Sequence, residues 1–78
     1  MMPVFTVVDD GYDVSVYFTL HDLCKSVADE SLFVVPVDDS EPVPATSAEI
    51  RKAFRTRNVV ELSEDGDRDW KFKMVRHN

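Results

Sequence analysis

The period of the apolar residues changes abruptly within residues 46–76, and that change constrains the fold more than any other feature of the chain. Thr46 and Glu49 have the spacing of a capping box, in which the hydroxyl takes the Glu49 amide and the carboxylate reaches back to the Thr46 amide. A helix is expected to begin there. Ile50, Ala53 and Phe54 then recur at helical spacing, with Arg51, Lys52 and Arg55 on the opposite ridge. Acid in the first turn and base in the last suit the helix dipole. Past Asn58 the pattern alternates, so two strands are expected, at 59–63 and 69–75, around Glu64, Asp65, Gly66 and Asp67. A two-residue loop at Asp65-Gly66 would set Val60 and Leu62 opposite Lys71 and Asp69. A three-residue loop instead sets Leu62 near Trp70 and Val60 near Phe72, with Glu61 opposite Lys71 outside. This predicts Gly66 in the left-handed position of a bulged turn, with Trp70, Phe72 and Met74 in the core.

The front of the chain reads in the same way. Residues 4–8 are β-branched and aromatic, and residues 12–19 alternate, with Tyr12, Val14, Val16 and Phe18 on one side. Asp10-Gly11 between them is a strong hairpin signal. A two-residue loop there pairs Val7 with Val14 and Phe5 with Val16, and so sends the alternating row into the core. Thr19 is placed to cap a helix over 20–29, where Leu20, Leu23, Cys24, Val27 and Ala28 make one apolar stripe. Residues 32–37 form a short apolar strand, and Pro36 near its end predicts an edge position or a last rung. Residues 38–45, with three acids, Pro42 and Pro44, are expected to be an exposed, extended connector. His77 and Asn78 are expected to fray.

The resulting order, β-β-α-β-α-β-β, predicts a small α+β domain with a mostly antiparallel sheet of up to five strands and both helices on one face. The third strand is expected to join the two hairpins. Seventy-eight residues make a single domain, residues 1–78, and at 44% hydrophobic and 31% charged the chain has the composition of a folded protein. A lone cysteine cannot close an internal disulfide, and the N-terminus lacks the charged-then-apolar pattern of a signal peptide, so a cytoplasmic protein is expected. No apolar run is long enough for a membrane span. A monomer or weak dimer is the expected state.

Chemistry is sparse. His21 and Cys24 lie one helical turn apart, but Cys24 falls inside the apolar arc, where cysteines act as small hydrophobes. Neither the Asp9, Asp10, Asp13 group nor the Asp38, Asp39, Glu41 group has calcium-loop spacing. With Gly11 and Gly66 as the only glycines, no phosphate loop is present. A non-catalytic protein without metal or cofactor is expected.

Charge is the stronger signal. The first fifty residues hold ten acids against Lys25, a net −9, and the remainder holds eight bases against five acids, a net +3. Asp13, Asp22, Asp29, Glu30, Asp38, Asp39 and Glu41 all fall on expected loops or outward faces, so their field suits a protein partner with a basic surface. The alternative is a nucleic-acid contact through Arg51, Lys52, Arg55, Lys71 and Lys73, against which the net charge of −6 argues.

Two resemblances bear on these choices. The helix from Ile50 and the run Val-Val-Glu-Leu-Ser-Glu-Asp-Gly at 59–66 resemble the last helix and wing of the La motif of RNA-binding proteins. They cover less than a third of the chain, and the aromatic helices that open such a motif have no counterpart here, so no pocket residue carries over. In size, acidity and α+β order the chain also resembles small phage-encoded inhibitors of bacterial defence, anti-CRISPR proteins among them. That resemblance rests on no single residue and implies action by binding, in a host cytoplasm, to a larger nucleic-acid-handling complex.

Overall fold

A computed structural model describes residues 3–77. The strands are β1 (Val4–Asp9), β2 (Val14–Tyr17), β3 (Phe33–Val35), β4 (Val43–Pro44), β5 (Val59–Ser63) and β6 (Phe72–His77), and the helices are α1 (Leu20–Ala28) and α2 (Ser47–Phe54). One antiparallel sheet holds all six strands in the order β2-β1-β6-β5-β3-β4. The two hairpins therefore pair directly, β1 with β6. The third strand lies beyond them and does not bridge them. The connector supplies a strand the sequence reading lacked, because Ala45 donates to the Leu32 carbonyl at 2.8 Å and draws Val43 and Pro44 alongside β3. It is thus Pro44 that stands on an edge, while Pro36 lies just past an interior strand.

Both helices begin where their caps place them. Thr19 Oγ1 accepts from the Asp22 amide at 3.1 Å, and Thr46 Oγ1 accepts from the Glu49 amide at 3.2 Å. The reciprocal half of the capping box is not made, since the Thr46 amide donates to the Pro44 carbonyl at 2.9 Å and is already satisfied. Leu23, Cys24 and Val27 of α1 and Ile50, Ala53 and Phe54 of α2 meet Phe5, Val34, Val60, Leu62 and Met74 from one face of the sheet in a single buried cluster. Phe5 and Phe54 meet edge to face, with centroids 5.6 Å apart.

In the last hairpin the face assignment holds and the loop length does not. Leu62 pairs with Phe72, Val60 with Met74 and Glu61 with Lys73, two residues along from the expected register. A slip of two preserves which side chains point inward. The connection runs over residues 64–71 and opens with a turn at Asp65 and Gly66, whose φ values are 54° and 77°. Trp70 consequently leaves the core. It is half-buried, with the Lys73 ammonium 4.4 Å from its ring centroid. Arg68 from the same loop donates to the carbonyls of Asp38 and Ser40, each at 2.6 Å, and ties residues 64–71 to the β3–β4 connection. His77, expected to fray, is the last residue of β6 and bonds Thr6 Oγ1 at 3.0 Å. Asn78 lies outside the described residues.

The first hairpin departs further. Val8 pairs with Val14, Thr6 with Val16 and Phe5 with Tyr17, a shift of one residue from the two-residue-loop register. Asp9 causes it. Its Oδ1 accepts from the amides of Gly11 (2.8 Å) and Asp13 (2.9 Å), and Tyr12 adopts φ 70°, so the turn is built on a side chain and a left-handed tyrosine. A one-residue shift reverses the faces of β2.

Candidate interaction surface

That reversal defines the most unusual surface of the molecule. Tyr17 turns inward, where its hydroxyl bonds Ser26 Oγ at 2.8 Å. Tyr12, Val14, Val16 and Phe18, expected in the core, are instead 88%, 58%, 52% and 70% exposed. Alternation in a strand records that two faces differ, and which face is buried is decided by the turn. On the sheet face turned away from the helices, the register places Val14 and Val16 beside Val8 and Thr6 of β1, and continues to Val75 of β6 and Val59 of β5. Val59 is also exposed. The other half of this face is covered, for Val35 and Ser63 are both buried although they alternate with the core residues Val34 and Leu62. The uncovered half carries an apolar strip ending at β2, an edge strand without the proline or lysine that commonly blunts such edges.

The acids surround the molecule rather than forming one patch. Asp13 closes the β1–β2 turn, while Asp29 and Glu30 follow α1 at the same end of the sheet; Asp22 in the first turn of α1 and Asp38, Asp39 and Glu41 between β3 and β4 lie towards the other. All seven are exposed. None of them is in an ion pair among the described residues, where the pairs are Lys71–Asp10 at 3.4 Å and Lys73–Glu61 at 4.0 Å. Hydrogen bonds from the Ser40 side chain and amide hold the Asp38 carboxyl below its usual range, with the Arg68 charge adding to them. An open cleft of about 340 Å³ lies between the β3–β4 connection and α2, where Asp38, Glu41 and Glu49 face Lys52 and Arg57 over Val34 and Ala53.

The basic residues divide. Arg51 and Lys52 of α2 and Arg55 at its C-cap are exposed, whereas Lys73 stands on the opposite face of the sheet beside Val8, and Lys71 is paired with Asp10. The five do not form one ridge. Arg76, which the sequence reading left out, joins Arg51 and Arg55 instead. The signal was available, since strand alternation from Met74 puts Arg76 on the helix side.

Chemically the surface offers binding groups. Cys24 is buried, and desolvation pushes its thiol up, opposed in part by the Arg51 charge and a hydrogen bond with Ser47, so it stays protonated near neutral pH. His21 is exposed. Among the described residues no three His, Cys, Asp or Glu side chains are grouped to hold a metal ion, and no helix is long and apolar enough to cross a membrane. The molecule is a small α+β protein with one sheet face left half open. No protein-family model, curated protein or solved structure matches the chain.

Proposed function

We propose that the chain is a non-catalytic binding protein that docks on a partner protein through the open sheet face at β2, with the surrounding acids steering it towards cations on the partner. The observation that carries this reading is the solvent-facing row Val14 and Val16, flanked by the exposed Tyr12 and Phe18. Exposed apolar side chains next to Asp13, on a molecule whose other carboxylates are largely unpaired, combine a water-excluding centre with a field that attracts cations. The fitting partner presents an apolar strip bordered by lysine and arginine. Proteins that handle nucleic acids carry such basic surfaces, and the resemblance in size and charge to phage-encoded inhibitors favours a CRISPR effector complex as the first partner to test. In this reading the chain acts as an inhibitor or modulator, in the cytoplasm, as a monomer or weak dimer.

The test measures affinity for a purified CRISPR effector complex across a salt series, with capture from a bacterial lysate in parallel. Wild type, Val14→Thr/Val16→Thr and Asp13→Lys are compared. The expected result is binding that weakens with salt, falls at least tenfold in the double threonine variant and slows its association in Asp13→Lys. Binding that ignores both changes, or no partner from either source, defeats the proposal.

A further inference from the structure

Near the C-terminal end of α2, Arg51 of that helix, Arg55 at its C-cap and Arg76 of β6 line a depression of about 280 Å³ whose other walls are Leu20 and Phe54. Arg76 is held in place. Its Nε and Nη2 donate to Asn58 Oδ1 at 3.1 and 2.8 Å, and its guanidinium carbon lies 5.7 Å from the Phe54 centroid. Among the described residues Nη1 has no acceptor. Three guanidinium groups around one small space repel one another, and a neighbouring carboxylate is the ordinary relief. This chain has fifteen acids for nine bases, yet among the described residues none of the three arginines is in an ion pair and no acid lines the depression. Its other two lining residues, Leu20 and Phe54, are apolar and offer the arginines no hydrogen-bond acceptor from their side chains.

We propose that this depression binds a phosphate group, free or carried on a small monoester. Guanidinium presents paired donors that match phosphate oxygens, which a lysine cluster does not. The volume, just below the range of about 300–1,000 Å³ occupied by whole small-molecule ligands, suits one anionic group with a short attachment. The site is separate from the β2 face and stands whether or not the docking proposal does.

The test is an amide and arginine side-chain NMR titration of the full chain with inorganic phosphate, with glycerol phosphate, and with sodium chloride at matched ionic strength. Saturable shifts at Arg51, Arg55 and Arg76 are expected with one or both phosphates and not with chloride. Arg55→Gln, on an exposed residue, should weaken binding about tenfold or more, as loss of a charge-assisted contact does. Lys52→Gln, adjacent but outside the depression, should change it by no more than about twofold. Shifts that chloride reproduces, or equal losses in the two variants, overturn the site, since either outcome reports a diffuse field in place of a pocket.

Discussion

Replacing Val14 and Val16 together by threonine tests the register of the first hairpin directly. Each valine is about half exposed, and threonine keeps the β-branch and one methyl. The change therefore removes about one half-buried methyl per site, roughly 0.4 kcal/mol each from about 0.8 kcal/mol per buried methylene. The double variant should lose no more than about 1 kcal/mol. Under the pairing that a two-residue Asp10-Gly11 loop imposes, both hydroxyls would enter the core without partners, costing about 1–3 kcal/mol apiece. Urea unfolding separates the two cases: with a slope near 1 kcal/mol/M, the midpoint falls by less than about 1 M in the first and by about 2 M or more in the second. Val60→Thr, at a fully buried position of β5, supplies the reference for a core hydroxyl. A double variant as damaging as Val60→Thr, with unchanged slope, would refute the register and with it the open face.

Other consequences are equally accessible. Gly66→Ala should cost about 1 kcal/mol by chemical denaturation, because at φ 77° the strain is in the backbone while the added Cβ meets only Phe33 Cε2 at 4.0 Å. Thr19→Ala and Thr46→Ala should each cost about 1 kcal/mol and restore most of it as serine. Ser63→Ala should be neutral or stabilising by up to about 1 kcal/mol, since the Oγ is buried with no protein partner among the described residues; a loss beyond about 1 kcal/mol would show that the hydroxyl is satisfied. Native Cys24 should resist alkylation at neutral pH until the chain unfolds. Its raised folded pKa makes its stabilising contribution full below the unfolded value of 9.0 and lost as pH climbs through the folded one, so stability measured upwards from pH 9.0 should fall less in Cys24→Ala.

The helices were legible because their start signals are local. Thr19 and Thr46 each satisfy an amide three residues away, and nothing distant competes. The face assignment of β5 and β6 was legible for a related reason, as charges at Glu61 and Lys73 forbid the wrong parity. The β2 face was not. Residues 12–18 alternate aromatic or β-branched with small polar or aromatic groups, and Tyr17 is as good an inward residue as Val16, so the choice fell to the turn. There Asp9 outcompetes the Asp10-Gly11 dipeptide by bonding two amides with one oxygen, while Gly11 makes no use of a positive φ. Strand order was illegible because β1·β6 pairing joins segments more than sixty residues apart, and no local pattern encodes it.

The neighbourhood of β1 and β6 also dictates how the polypeptide must acquire its shape. Val4 lies opposite His77, so an interior seam of the sheet is assembled from the earliest and latest parts of the described chain to leave a ribosome. Closing a segment of that length costs roughly 4 kcal/mol of chain entropy before any pairing repays it, and topologies dominated by such distant contacts fold slowly. Until synthesis passes β6, the nascent β1–β2 hairpin has a bare inner strand where its neighbour belongs. An interrupted product should thus be protease-sensitive and sticky, whereas the finished one closes in a single cooperative step.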